Sequence, residues 1–219
     1  MNKDEFIKEL EKLNIMLSSK QLEQLDSYYH LLTLWNEKIN LTRITEENDV
    51  YLKHFYDSLT LSRVIDLNNN LRLCDIGTGA GFPGIVLKIV FPNLKITLVD
   101  SLLKRIKFLN IVITTLGLTD IEAIHSRAED YVKFHKEEFD IVTSRAVSRL
   151  SNLLEYSTPL VKKGGYFIPM KANCEDEIKE SIPILKRKNM VIEGIDEFLL
   201  PIENSHRTII KIRKSDKKQ

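Results

Sequence analysis

The chain has 219 residues, 43% of them hydrophobic and 29% charged, with 32 Lys and Arg against 31 Asp and Glu. That composition buries a core within one domain of ordinary size plus a small appendage, and a formal net charge of +1 speaks against a bulk polyanion binder. No run of eighteen apolar residues predicts a membrane span, the opening MNKDEFIKELEKL mixes both charge signs without an apolar signal block, and Cys74 and Cys174 are too few for a disulfide scaffold, so the expectation is a cytoplasmic protein.

In chain order, the first third reads as helical. SSKQLEQLDSYYHLLTLWNEKINL opens with a capping-box pattern, Ser18 to Gln21, and then Leu22, Leu25, Tyr28 or Tyr29, Leu32, Trp35 and Ile39 recur at helical spacing. A second helical segment is expected over about Glu46 to Ile65, on Val50, Phe55, Leu59 and Leu61. His54 and Asp57, a turn apart within it, read as packing groups, as do Asn36 and Asn40, and Trp35 reads as core. DLNNNL, Asp66–Leu71, is a turn-rich stop. It places a boundary between a helical extension, residues 1–67, and a main domain, residues 68–214, followed by a basic tail, residues 215–219.

Beyond that boundary, short apolar runs at Leu71–Ile76, Ile96–Val99, Ile121–Ile124, Phe139–Val142 and Tyr166–Pro169 alternate with helical stretches such as Pro83–Val90, Leu103–Leu116 and Leu150–Val161. Two more strands are expected at Val191–Phe198 and Arg207–Arg213. The fold class is therefore α/β, a doubly wound, mostly parallel seven-stranded sheet of Rossmann-like kind with an N-terminal helical extension.

LCDIGTGAGFPG, Leu73–Gly84, sits where the first strand turns into its helix, the place where open α/β sheets bind ligands. Gly77, Gly79 and Gly81 supply positive φ and let a ligand approach the backbone, and Asp100 ends the second strand at the distance expected of a carboxylate that takes ribose hydroxyls. This order points to an adenosine-containing cofactor. A dinucleotide loop reads G-x-G-x-x-G; here Asp75 precedes the glycines and can accept from an α-amino group, while Pro83 removes a backbone donor that a pyrophosphate needs. The reading favours S-adenosylmethionine over a nicotinamide dinucleotide, and no Gly-Lys-Ser/Thr follows to make a P-loop. The fourth strand ends in Ser144-Arg145-Ala146, without the Asn/Asp-Pro-Pro-aromatic motif of amino-group methylation and without a nucleophilic cysteine. Cys74, inside the first strand, reads as core and Cys174 as incidental. No metal site is expected.

LCDIGTGAGFPGIVLKIVFPNLKITLVDSLLKRIKFL, SRAED and VTSRAVSRL, with LWNEKINLT and HFYDSL upstream, resemble the small-subunit ribosomal RNA methyltransferase G family, once called glucose-inhibited division protein B. The resemblance runs nearly end to end. It implies the class I S-adenosylmethionine-dependent methyltransferase fold and methylation of N7 of one guanine in 16S ribosomal RNA of the small ribosomal subunit; a monomer is expected. It also implies that Gly77 and Phe82 contact the cofactor, that Ala128 and Glu129 flank its adenine, and that Arg145 lies at the floor of the site. One departure shows: Lys171-Ala172 stands where the family pattern has Lys-Gly.

Arg145 is read either as pairing with Glu129 or Asp75 to shape the loop ends, or as touching the cofactor, guanine O6 or phosphate; a bond to N7 is excluded because it blocks the reaction. Lys104, Arg105, Arg127, Arg149 and Lys171 are the candidate RNA contacts, near strand ends or the helices that follow them. The other basic clusters, Lys186–Lys188 among them, read as solvated faces. Two alternatives stay open: a methyltransferase of the same fold acting on a small molecule or a protein, and an inactive RNA- or ribosome-binding relative.

Overall fold

The computed structural model describes residues 1–145 and 148–216. Two capped helices open the chain. In α1 (Lys3–Glu11) the Asn2 side chain accepts from Glu5 N while Glu5 accepts from Asn2 N. In α2 (Ser19–Ile39) Ser18 and Gln21 exchange the same pair of bonds, and the helix stops at Asn40 in the left-handed region, φ 49°. The apolar stripe turns inward. Phe6, Leu25, Tyr28 and Leu32 are buried in the same cluster as Phe55, Leu59, Ile85 and Phe108, so the helices share a core with one face of the sheet. Each such side chain contributes about 1.5–3 kcal/mol by burial.

The expected single helix from Glu46 to Ile65 is instead four short pieces: α3 (Glu47–Val50), a π-helical stretch (Tyr51–Tyr56), α4 (Asp57–Leu59) and a 3-10 turn (Thr60–Arg63). Local competition accounts for it. Ser58, Thr60 and Ser62 hydroxyls donate to the carbonyls of His54, Asp57 and Leu59, offering the backbone alternatives to the regular ladder. The widened π turn leaves His54 and Asp57 facing the sheet's carboxyl edge, where they meet Arg145.

The sheet holds β1 (Arg72–Ile76), β2 (Lys95–Asp100), β3 (Ile121–His125), β4 (Phe139–Ser144), β5 (Val161–Lys171), β6 (Met190–Leu199) and β7 (His206–Lys214), in the order β3-β2-β1-β4-β5-β7-β6. β1 to β5 run parallel, and β7 is antiparallel to β5 and β6. The chain reverses direction between β3 and β4, so a crevice opens at the carboxyl ends of β1 and β4. Helices α5 (Gly84–Val90) and α6 (Leu103–Thr115) join the N-terminal helices on one face; α7 (Ala128–Tyr131), α8 (Leu150–Ser157) and α9 (Glu175–Arg187) lie on the side of the second core cluster, which contains Cys74, Val142, Leu153 and Ile210.

Three boundaries differ from expectation. α5 begins at Gly84 because Pro83 is its N-cap. α8 ends at Ser157, not Val161, since Pro159 cannot continue the ladder and the chain tightens into a 3-10 turn. β5 runs from Val161, well ahead of Tyr166. Residues 217–219 of the expected tail, and Ala146 of the motif after β4, lie outside the described residues. No helix among the described residues is long and apolar enough to cross a membrane.

Candidate functional site

The glycine loop is tied down from three sides. Asp75 is fully buried, and its Oδ2 accepts from Thr78 Oγ1 at 2.7 Å and Gly84 N at 2.8 Å. Gly77 N and Thr78 N donate to Val99 O across to β2. From the helical side, the buried Tyr28 hydroxyl donates to Ala80 O, and its ring stacks on Phe82. Gly77 and Gly79 sit at φ +69° and +62°, and a Cβ at either would meet nothing within 4 Å. Their backbone therefore borders open space, a cradle that a ligand can occupy at close range. Asp75, expected to accept from an α-amino group, has a carboxylate closed to solvent and an Oδ2 taken up by the loop it organises. Burial raises its pKa to about 6 against the pull of the Thr78 and Gly84 bonds, and Oδ1 is left without a hydrogen-bond partner among the described residues.

Asp100, 3% exposed, accepts from Gly79 N and Leu102 N at 2.9 Å each, and from Arg105 Nη1 at 3.2 Å. Three donors occupy a carboxylate with about four acceptor positions, so only part of it is left for ribose hydroxyls. This also corrects Arg105, expected at RNA: it follows β2 by one helical turn, which lays its guanidinium across Asp100 and inside the cleft. Around Asp100 lies a cavity of about 380 Å³ whose wall includes Gly77, Ser126, Ala128, Glu129, Ser144 and Tyr156. Ala128 and Glu129 open α7 there, and Arg127 beside them is exposed.

A second cavity of about 370 Å³ adjoins the first at Gly77 and Arg105, and takes in Thr42, His54, Gly79, Phe82 and Arg145. A third, of about 610 Å³, adjoins the second at His54 and Arg145 and extends past Asp57, Lys171 and Arg207. The three neighbour one another along the sheet's carboxyl edge, each sharing two wall residues with the next. Cavities of this size hold small-molecule and nucleotide ligands.

Arg145 joins the last two cavities, and its partners are not the expected Glu129 or Asp75. Nη1 donates to Lys53 O at 2.7 Å and Asp57 Oδ2 at 3.2 Å, Nη2 donates to His54 Nδ1 at 2.8 Å, and the guanidinium lies 5.2 Å from the Phe82 ring centre. The His54 ring stacks on Phe82 at 4.2 Å, and its Nε2 donates to Thr42 Oγ1 at 3.0 Å, as the bond at Nδ1 requires. Burial, then the charge of Arg145, lowers the His54 pKa to about 3, so the ring is neutral at ordinary pH. Asp57 Oδ1 accepts from Arg207 Nε at 3.0 Å. His54 and Asp57 thus belong to the site and not to plain helix packing. Arg207 and Thr42 were missed, because nothing in their local sequence distinguishes them.

The other cationic candidates divide. Lys171 is 9% exposed and closed on Ser148 O and Glu177, each at 2.8 Å, so it clamps the segment after β4 and is no surface phosphate contact. Arg149, exposed, pairs with Glu180. Lys104 caps α2 by donating to Ile39 O at 3.0 Å and stays solvent-facing. Ala172 has no positive φ, so the turn there does not require the glycine of the family pattern. Among the described residues, no group of His, Cys, Asp or Glu could hold a metal ion.

A family model described as rRNA small subunit methyltransferase G matches residues 21–209. A Ribosomal RNA small subunit methyltransferase G of Bacillus licheniformis is 50% identical over 217 residues, covering 98% of this chain and 91% of that protein. Among solved structures, a SAM-dependent methyltransferase of Aquifex aeolicus superposes with TM-score 0.56 at 18% identity, over 76% of this chain and 93% of that one. M. jannaschii TYW2 in complex with AdoMet does so with TM-score 0.57 at 16% identity, over 67% and 70%. These two likenesses bear on the fold alone.

Proposed function

The chain belongs to the rRNA small subunit methyltransferase G family, and from that premise we propose that it transfers a methyl group from S-adenosylmethionine to N7 of a guanine in 16S ribosomal RNA. One observation supports the division of labour: three cavities lie end to end, and Arg145 and His54 stand where the second meets the third. On this reading the first cavity holds adenosine, with Asp100 at the ribose and Ala128 and Glu129 flanking the base. The second holds the methionine end against Gly77, Gly79 and Phe82. The third receives the nucleotide. Residues 1–67 act as an extension completing the site, residues 68–214 as the methyltransferase domain and residues 215–219 as a basic tail, in a cytoplasmic monomer.

The cofactor supplies an electrophilic methyl group on a sulfonium. N7 of guanine carries an in-plane lone pair and no proton, so transfer needs no general base and no covalent intermediate. The side chains fit that requirement. His54 is neutral, and both its ring nitrogens are engaged, so it brings neither a charge nor a free base to the site. Arg145 is too well bonded to swing onto N7 and can address O6 or phosphate. The third cavity has four cationic and three carboxylate side chains on its wall, an excess of one positive charge suited to a phosphate-bearing guest. A base reaches it only when extruded from its stack, and a loop makes that least costly. Lys104 and Arg127, both exposed, are the remaining candidates for backbone contacts outside the cleft.

The test is transfer of labelled methyl from S-adenosylmethionine to small subunits taken from cells lacking the gene, with the product mapped by N7-specific cleavage. Label at one guanine is expected. Label at another base, or no label in RNA while a protein or small molecule is methylated, overturns the reading.

A further inference from the structure

Asp57 makes an unusual use of one buried carboxylate. It is 5% exposed, and its two oxygens take two different arginines from two different strand ends: Oδ2 takes Arg145, just past β4, and Oδ1 takes Arg207, in β7. Two guanidiniums brought to one cavity wall repel, and a carboxylate between them removes that cost while fixing the direction of each fork. Around them the donors are almost all assigned. Arg145 spends Nη1 on Lys53 O and Asp57, and Nη2 on His54; Arg207 spends Nε on Asp57 and Nη1 on His206 O and Ser205 Oγ. What stays unbonded to the described residues is Arg207 Nη2, Arg145 Nε and the second N–H of Arg145 Nη2.

The arrangement carries no catalytic burden for Asp57 itself, because its carboxylate is fully engaged and N7 methylation takes up no proton. Asp57 itself lines neither the cavity around Asp100 nor the one at the glycine loop. The neighbouring Lys171–Glu177 pair, by contrast, closes on its own chain at Ser148 O and Leu150 N and is explained by holding that segment. Asp57, the first residue of α4, links the N-terminal extension to two strand ends at once, adding to the bonds that Arg145 makes with Lys53 O and His54.

We infer that Asp57 is a positioning residue for methyl transfer, which aligns Arg145 and Arg207 as one cationic pair facing the incoming nucleotide. The inference rests on the nucleotide occupying the 610 Å³ cavity. It assigns Asp57 its main effect on RNA and a smaller one on the cofactor, because Arg145 also borders the cavity at Gly77 and Gly79.

The experiment measures, for the full-length protein, steady-state kinetics on small subunits lacking the modification, together with S-adenosylmethionine affinity by calorimetry. Asp57→Asn keeps the shape and removes the charge. It is expected to lower kcat/KM about 30-fold, chiefly through KM, the scale of one hydrogen bond to a charged group. Cofactor Kd should stay within about twofold of wild type, and Asp57→Glu should recover part of the loss, which a merely structural staple would not divide in this way. In the double variant Asp57→Asn/Arg207→Gln, the losses should not multiply, since Asp57 acts through that arginine. Arg207→Lys keeps a charge but lacks the Nε donor. It should reproduce the KM increase even if Asp57→Asn fails to fold. Asp57→Asn with kcat/KM near wild type, a parallel loss of cofactor affinity, multiplying losses, or a normal KM in Arg207→Lys would each overturn the inference while wild-type activity still stands. A wild-type protein that leaves the RNA unmethylated overturns the proposed function, and this inference with it.

Discussion

The two ends of the cleft are held by bonds of very different reach. At the glycine loop the chain closes on itself: Asp75 reaches 3 and 9 residues along the sequence, and Asp100 reaches 21 residues back to Gly79. At the far end, Arg145 finds Asp57 and His54 at separations of 88 and 91 residues, and Arg207 finds Asp57 at 150. The first end is a local device that a short segment can specify. The second exists only after the N-terminal extension has docked, and damage to it should spare the first. That asymmetry can be broken deliberately.

The largest effect is expected at Gly84. A Cβ there would press on Leu98 Cδ2 and lie 2.9 Å from Asp75 Oδ2, the atom that Gly84 N and Thr78 Oγ1 share. Gly84→Ala should cost about 3 kcal/mol by overpacking a closed core site, and should abolish cofactor binding in calorimetry because the loop loses its anchor. A variant that folds normally and binds S-adenosylmethionine would mean that the Asp75 anchor does not hold the loop.

His54 tests the far end by pH. Its folded-state pKa of about 3 lies below the ordinary histidine value of 6.5, so the unfolded chain binds the extra proton between those values. The stability is fully present above pH 6.5 and is lost as pH falls toward 3. The ring faces Arg145, Lys53 and Thr42, none of which offers a carboxylate to retain a proton on it. Between pH 7.5 and 5, wild type should lose about 2 kcal/mol more stability than His54→Asn, measured by denaturant unfolding. Equal losses would show that the ring protonates freely in the folded state.

The same asymmetry governs what could be read from residues alone. The seven strands, their order of appearance and the glycine loop announce themselves, because apolar runs and glycines act over a few residues. Gly77, Asp100, Ala128 and Glu129 do border one cavity. The roles of Asp75 and Arg105 came out differently because burial is a tertiary property: one carboxylate is shut in, and one arginine lies across another carboxylate. His54 and Asp57 looked like packing groups because a helical turn of spacing says nothing of a partner 90 residues away. Arg207 gave no signal at all, since its place depends on an antiparallel strand inserted between β5 and β6.

Gly79→Ala isolates the cradle from the fold. At φ +62° with nothing within 4 Å, the new methyl group meets no protein atom, so the cost to folding is the left-handed strain of about 1 kcal/mol. The methyl would, however, stand in the space proposed for the cofactor, and S-adenosylmethionine affinity should fall by at least about tenfold, the value of about 1.4 kcal/mol of lost contact. Affinity unchanged beside a small loss of stability would move the cofactor away from this loop.

Tyr28 ties α2 to the glycine loop and to the π-helical stretch at once. Its hydroxyl, from α2, donates to Ala80 O, and its ring stacks on both Phe82 of the loop and Phe55 of the π-helical stretch. Burial pushes its pKa well above the usual tyrosine range, so the hydroxyl stays a donor throughout. Tyr28→Phe keeps both stacks and removes only the donor, leaving Ala80 O short of a partner at a cost of about 1 kcal/mol. Because the loop also hangs from Asp75 and Val99, its geometry should survive, and cofactor affinity should drop by less than about fivefold. A loss of binding as complete as that of Gly84→Ala would show that the glycine loop is not a self-sufficient local device and depends on the docked extension as heavily as the arginine pair does.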